Sequence, residues 1–283
     1  MHTLEKINQI ASLLKKEGIP DSEKEAELII ANVTGIDKLS MLRDNPLINE
    51  LDSEQIDASV KRRLTREPLQ YIIGSVEFQG LKIRVGKGVL VPRPETEQLV
   101  EEVLKTGTGD LALGVGENTK VLDLCCGSGC MALAIAQKMP DAEVYATEIS
   151  DRALEYASKN AQINGIGNVT FLAGDLFDPV EDMTFHIIAS NPPYIRTEDI
   201  PTLQEEIVRW EPHRALDGGK DGLRYYREII GNLEQYLFKD GKCFLEIGFD
   251  QKADVESLAH ASGLKSIFKK DLSGHYRIAV LSF

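Results

Sequence analysis

From Lys120 onward the chain alternates short apolar strands with helical stretches, and this alternation constrains the fold more than any other feature of the sequence. The order is strand "KVLDL", helix "CMALAIAQKM", strand "EVYATE", helix "SDRALEYASKNAQING", strand "VTFLAG" and strand "FHIIAS". Helix "DGLRYYREIIGNLEQYL", strand "KCFLEIGF" and helix "QKADVESLAHASG" follow. Strands separated by helices pair in parallel and carry helices on both faces, so the spacing predicts an α/β, doubly wound, mostly parallel sheet. The closing "SIFKKDLSGHYRIAVLSF" reads as two strands joined near Ser273-Gly274, which makes the last strand antiparallel to its neighbour and brings the sheet to seven strands. Ser150 before the second of these helices and Gly165 after it are the best cap and stop signals in the chain.

Upstream the texture differs. Residues 1–70 read as helices alone: a face of Leu4, Ile7, Ile10, Leu13 and Leu14, then "DSEKEAELIIANVTG" with Asp21 or Ser22 as N-cap, then "DSEQIDASVKRRLTREP". This predicts a small, separate, all-α N-terminal domain. Between Tyr71 and Val91, β-branched and aromatic residues are punctuated by Gly74, Gly80, Gly86 and Gly88, the pattern of a hairpin-like connector. Residues 71–95 are therefore expected to be a β-hairpin linker and 96–283 the doubly wound domain, opening with a helix near Thr96.

Composition narrows the classes. The formal net charge of -13 disfavours general attraction to nucleic-acid phosphates or anionic lipid, which rely on Lys and Arg. No apolar run approaches the roughly 18 residues of a spanning helix, and the amphipathic N-terminus lacks a signal-peptide core, so a cytoplasmic protein is expected. Cysteines 125, 126, 130 and 243 match no paired zinc spacing; they are expected to be buried, reduced thiols, and no metal site is predicted.

Three strand ends converge by topology. "VLDLCCGSGCMALA" runs from a strand into Gly127-Ser128-Gly129 and a helix, so a ligand can approach the backbone closely. Glu148 ends the next strand, about twenty residues beyond the loop, where an acid accepts hydrogen bonds from both hydroxyls of a ribose. Asp175 and Leu176 end the third, where a carboxylate can accept from an adenine amino group while Leu176 and Phe177 flank the ring. The loop fits both a nicotinamide dinucleotide and S-adenosylmethionine, which carries the same adenosine without a pyrophosphate.

The fourth strand leaves through Asn191-Pro192-Pro193-Tyr194. Two prolines in a row stop the strand and hold the following chain in a stiff extended path at the same sheet edge. The side-chain carbonyl of Asn191 and the proline carbonyls can accept both hydrogens of a planar NH2 group, and Tyr194 can stack on its plane. An amide nitrogen is a poor nucleophile because its lone pair is delocalised. Acceptors that favour positive charge developing on that nitrogen, together with alignment on an electrophilic methyl, suit in-line methyl transfer from a sulfonium.

The loop, Glu148, Asp175 and the Asn191 segment resemble class I S-adenosylmethionine methyltransferases, and Asn191 to Tyr194 resembles the NPPY signature of their amino-group methylating branch. "QYIIGSVEFQGLKIRVGKGVLVPRPETE" and "EPHRALDGGKDGLRYYREI" are similar to the release factor glutamine methyltransferase (PrmC/HemK) family, and the resemblance covers the whole chain. It implies a Rossmann-like methyltransferase sheet, the cofactor S-adenosyl-L-methionine, and methylation of the glutamine side chain in the Gly-Gly-Gln motif of class I peptide-chain release factors. The helical domain would help to bind the factor; no membrane or direct nucleic-acid partner is implied. Carried over by position, Cys125, Cys126, Gly127, Ser128, Gly129, Glu148, Asp175, Leu176 and Asn191 would hold the cofactor. Asn191, Pro192, Pro193 and Tyr194 would clamp the amide, with Arg93 and Glu95 closing over the site. The chain departs from the pattern at Cys125, where the loop usually has its first glycine, at Glu148, where relatives often have aspartate, and at Leu176, where a tryptophan can occur. Rival readings are a ribosomal-protein glutamine methyltransferase, an N6-adenine DNA methyltransferase and a dinucleotide-dependent dehydrogenase.

Overall fold

The structure, a computed structural model, describes residues 1–108 and 119–283. The chain forms two compact units: Met1–Ser75 with Gln204–Trp210, and Val76–Leu203 with Glu211–Phe283.

The first unit is helical: α1 (Thr3–Lys16), α2 (Ser22–Thr34), α3 (Lys38–Asp44), α4 (Glu50–Leu64) and α5 (Leu69–Ile73). Ile7, Ile10, Ala11 and Leu14 of α1 recur at helical spacing and are buried with Ile29, Ile30 and Ile56. Leu13 falls outside that stripe and is 40% exposed, unlike its expected place on the buried face. The expected cap of α2 also differs, because Asp21 has φ 51° and makes no side-chain cap, whereas Asp37 and Asn49 cap α3 and α4 through Ser40 N–H and Asp52 N–H. Tyr71–Ile73, expected in the hairpin, instead belong to α5, which follows Pro68 and stops at left-handed Gly74. Arg63, 4% exposed, donates to Glu25 at 2.6 Å and to Glu206 at 3.0 Å, and so fixes the Glu205–Trp210 helix to this unit.

β1 (Ser75–Phe78), which enters the second unit at Val76, and β2 (Leu81–Arg84) form a hairpin whose turn residues Gln79 and Gly80 both have positive φ, the backbone of a tight two-residue connection. Next come α6 (Pro94–Thr108), β3 (Lys120–Leu124), α7 (Cys130–Lys138), β4 (Glu143–Glu148), α8 (Asp151–Asn164), β5 (Val169–Ala173) and β6 (Phe185–Ser190). The Glu205–Trp210 helix counts as α9; α10 (Arg224–Tyr236), β7 (Leu237–Glu246), α11 (Lys252–Ala261), β8 (Lys265–Lys270) and β9 (Tyr276–Ser282) complete the chain. Asn160 and Asn164 of α8 each grip one residue of β2, accepting the N–H and donating to the carbonyl of Arg84 and Lys82, so the hairpin's backbone is satisfied by side chains.

The seven-stranded sheet has the order β5-β4-β3-β6-β7-β9-β8, parallel except for β9, which runs antiparallel to β7 and β8. One face is filled by Leu122, Leu124, Ile188, Tyr226, Ile229 and Leu245, and α7 is buried along almost its whole length. From β3 the chain winds outward through β4 and β5, then returns to start β6 on the other side of β3. Side-by-side connections that diverge at β3 and β6 open a crevice beyond their carboxyl ends, where ligands bind in open α/β sheets. Among the described residues, no helix is long and apolar enough to cross a membrane.

Candidate active site

The loop after β3 is built from left-handed backbone: Cys125 has φ 60°, Gly127 54° and Gly129 75°. Cys126 N–H donates to Thr147 O at 3.1 Å and Gly129 N–H to Cys126 O at 2.8 Å, which closes the turn. A Cβ on Gly127 would meet nothing within 4 Å, because that position faces an open crevice of about 310 Å³. A Cβ on Gly129 would stand 2.9 Å from Ala157 Cβ, so this glycine is required by packing. Asp123 lies wholly buried in β3 and accepts Ala132 N–H at 2.9 Å, tying the first turn of α7 to the strand. Burial pushes its pKa well up. Burial, with Glu148 and Asp123 nearby, likewise pushes the Cys125 and Cys126 thiols well up, so they stay protonated and weakly nucleophilic at neutral pH.

Glu148 ends β4 with both carboxylate oxygens engaged: Oε2 accepts Gly127 N–H and Oε1 accepts Ser150 N–H, each at 2.9 Å. Burial raises its pKa, opposed by these backbone donors and by Arg214. Asp175 and Leu176, the latter at φ 42°, line the crevice beyond β5. Ile149, 45% exposed, lines it too; sequence reasoning missed it, although an apolar side chain next to a strand-end acid was the available signal.

Beyond β6, Ser190 Oγ donates to Leu124 O at 2.8 Å, which joins the exits of β6 and β3. Asn191 Nδ2 donates to Thr96 Oγ1 at 3.0 Å, and Thr96 Oγ1 donates to Glu246 Oε2 at 2.6 Å. Tyr194 OH donates to the other oxygen of Glu246 at 3.2 Å. Burial raises the Glu246 pKa, while these two hydroxyls and the charge of Arg277 pull it down. Burial and the neighbouring Glu246 raise the Tyr194 phenol, so it remains a donor. The Tyr194 carbonyl accepts from Gln251 Nε2 at 2.9 Å, and Gln251 Oε1 is held by Gly248 N–H and Tyr226 OH. The "DGGKDG" turn packs directly on this backbone: a Cβ on Gly218 would lie 2.7 Å from Tyr194 Cα, and one on Gly222 2.5 Å from Tyr194 O.

Of the residues singled out from sequence, Cys125, Cys126, Gly127, Ser128, Glu148, Asp175, Leu176, Asn191, Pro193 and Arg93 line one crevice. Gly129, Pro192, Tyr194 and Glu95 are not among its lining residues. Arg93 is engaged internally, donating to buried Glu211 at 2.7 Å, and Glu211 also accepts Val91 N–H. Glu211, Thr96, Glu246 and Gln251 were missed because nothing local in the sequence marks a buried polar partner.

A family model described as the methyltransferase small domain matches residues 99–245, and one described as the PrmC N-terminal domain matches residues 5–74. A release factor glutamine methyltransferase of Thermodesulfovibrio yellowstonii is 43% identical over 282 residues, covering 99% of this chain and 98% of the relative. One of Geobacter sulfurreducens is 38% identical over 90% of this chain and 87% of its own. Among solved structures, a methyltransferase from Pyrococcus furiosus aligns with a TM-score of 0.52 at 21% identity, over 71% of this chain and 88% of that one. A human methyltransferase 10 domain containing protein aligns with a TM-score of 0.53 at 18% identity, over 72% and 89%. Both share the fold.

Proposed function

The chain belongs to the release factor glutamine methyltransferase family, and we propose that it methylates the side-chain amide nitrogen of the glutamine in the Gly-Gly-Gln motif of class I peptide-chain release factors. It is an enzyme of the protein-glutamine methyltransferase type, and S-adenosyl-L-methionine is the donor we assign to it. The observation that carries this reading is the meeting of Glu148, Asp175 and Asn191 in one crevice at the switch point of the sheet.

The residues present fit an adenosyl sulfonium better than a dinucleotide. The Gly127 N–H, which would otherwise help to neutralise a pyrophosphate, already donates to the Glu148 carboxylate, and that anion would repel the phosphates. The open space over Gly127 suits a close-lying thioether chain, and each Glu148 oxygen retains a lone pair for a ribose hydroxyl. Ile149 and Leu176 offer apolar surface to a purine, and Asp175 an acceptor for its amino group. When bound, the cofactor supplies an electrophilic methyl on a positively charged sulfur.

In this reading the chain's own residues orient the acceptor. Asn191 Oδ1 and a proline carbonyl accept the two amide hydrogens, hold the nitrogen toward the methyl and stabilise positive charge as it develops. Loop closure by Glu211, through Val91 and Arg93, fixes the segment before α6 at the crevice mouth. The helical unit is the part we assign to holding the release factor.

Mass spectrometry of the Gly-Gly-Gln peptide after incubation of a release factor with the enzyme and S-adenosylmethionine tests this. One added methyl on the glutamine is expected. Labelling of a ribosomal protein or duplex DNA instead, or binding of NAD without S-adenosylmethionine, would overturn it.

A further inference from the structure

We propose that Thr96 and Glu246 are positioning residues that force the Asn191 amide to present its oxygen, not its NH2, to the acceptor amide. The proposal rests on the methyl-transfer reading above, and its argument is one of hydrogen-bond valence. A threonine hydroxyl has a single hydrogen. Thr96 Oγ1 donates to Glu246 Oε2 at 2.6 Å, so the hydroxyl hydrogen is committed there. What remains on Oγ1 is lone pairs. The Asn191 amide atom 3.0 Å away must then be a donor, which fixes it as Nδ2 and leaves Oδ1 pointing the other way. Among the described residues no hydrogen bond to Asn191 Oδ1 accompanies this pair, and Asn191 lines the crevice.

The orientation matters because a side-chain amide turned by half a rotation exchanges an acceptor for a donor. Facing the NH2 of a glutamine, a donor would repel both its hydrogens and the charge that develops on nitrogen. Glu246 is 1% exposed and Thr96 3%, so water does not compete for either hydroxyl or carboxylate. The second Glu246 oxygen receives Tyr194 OH, so one carboxylate, at the end of β7, orders both polar ends of the Asn191 to Tyr194 segment. Thr96 comes from the first turn of α6, about 95 residues from Asn191 in sequence, so the arrangement is a product of the fold and not of the motif.

The test compares Thr96→Val, which keeps the shape and removes the hydroxyl, with Thr96→Ser, which keeps the hydroxyl. We expect Thr96→Val to lower turnover on a release factor by about 30-fold or more, a loss on the scale of one transition-state hydrogen bond. Binding of S-adenosylhomocysteine by calorimetry should stay within about 3-fold, and Thr96→Ser should recover turnover to within about 3-fold of the parent. Turnover of Thr96→Val close to the parent, a parallel loss of turnover and cofactor affinity, or a serine variant as poor as the valine one would overturn the proposal. Should Thr96→Val fail to fold, the unmodified protein answers by NMR. A slowly exchanging Asn191 side-chain amide, identified by its loss in Asn191→Asp, supports the hydrogen bond, and exchange as fast as that of a free asparagine refutes it. Because the NMR measurement needs no release factor, it separates failure of this inference from failure of the substrate assignment.

Discussion

Gly222 touches the Asn191 to Tyr194 segment at the Tyr194 carbonyl, and replacing it with alanine tests whether that backbone contact positions the segment. Gly222 has φ 75°, so any L-residue there adopts the left-handed region at a cost of about 1 kcal/mol. Its new Cβ would also stand 2.5 Å from Tyr194 O and 2.6 Å from Gln251 Nε2, the two atoms of a 2.9 Å hydrogen bond. One atom is backbone and the other is the end of a side chain fixed by three further hydrogen bonds, so neither yields freely. Overpacking of this kind costs about 1–3 kcal/mol, and the total is about 3 kcal/mol. Gly80→Ala is the control: φ 78° in the same unit, with nothing within 4 Å of the new Cβ, so only the backbone cost of about 1 kcal/mol applies. At about 3 °C per kcal/mol for a unit of this size, calorimetry should find Gly222→Ala lowered by about 9 °C and Gly80→Ala by about 3 °C. Turnover should fall in Gly222→Ala alone. If the two variants melt within about 2 °C of each other, the reasoning from the Tyr194 contact is wrong.

On the proposed clamp role of Asn191, Asn191→Ala should lower turnover by about 100-fold or more, with S-adenosylhomocysteine affinity within about 3-fold; equal losses in the two assays would contradict that role. Glu148→Ala should weaken S-adenosylhomocysteine by about 30-fold or more in calorimetry, on the scale of two hydrogen bonds to a charged group at about 1 kcal/mol or more each, and an unchanged affinity would remove Glu148 from the cofactor site. Glu206 has its pKa lowered on folding: burial acts to raise it, but its own backbone and the guanidiniums of Arg63 and Arg66 prevail. A depressed group contributes stability that is complete above the unfolded value of about 4.3 and lost as pH falls through the lower folded value. Acid titration followed by circular dichroism should therefore show Glu206→Gln losing less stability than the parent below about pH 4; equal acid sensitivity in the two would refute the pairing.

What the sequence disclosed, and what it hid, divides by range. The strand and helix order was legible because each element carries its own period, and the glycine loop, Glu148, Asp175 and Asn191 were legible because each follows directly on a strand that topology sends to one edge. The turn read at Ser273-Gly274 carried the antiparallel placement of β9. Short elements were not legible: α3 has seven residues and α5 five, too few turns for a periodic signal, and the Tyr71–Ile73 stretch is β-branched and aromatic enough to read as strand. That the Glu205–Trp210 helix belongs with residues 1–75 follows from Arg63 and Arg66 reaching Glu206 across some 140 positions, which no local pattern records. Thr96, Glu246 and Gln251 were invisible for the same reason. A threonine in a helix's first turn, a glutamate ending an apolar strand and a glutamine beside a helix start are each unremarkable until the fold buries them against one another.

Cys125 shows how a departure from a family pattern is accommodated by the bonds that hold the turn. Three residues of the loop are left-handed, and of them Gly129 needs glycine for space, because Ala157 and Phe171 close on it, whereas a Cβ on Gly127 would meet nothing within 4 Å. Cys125 pays the left-handed cost of about 1 kcal/mol. The residue is partly buried against the apolar layer that contains Leu124 and Leu176, and it also lines the crevice. The turn is held from both sides by bonds that no side chain at 125 interrupts, Cys126 N–H to Thr147 O and Gly127 N–H to Glu148 Oε2. The loop's first glycine is thus a matter of backbone strain, which these bonds offset, whereas Gly129 is a matter of volume, set by Ala157 and Phe171.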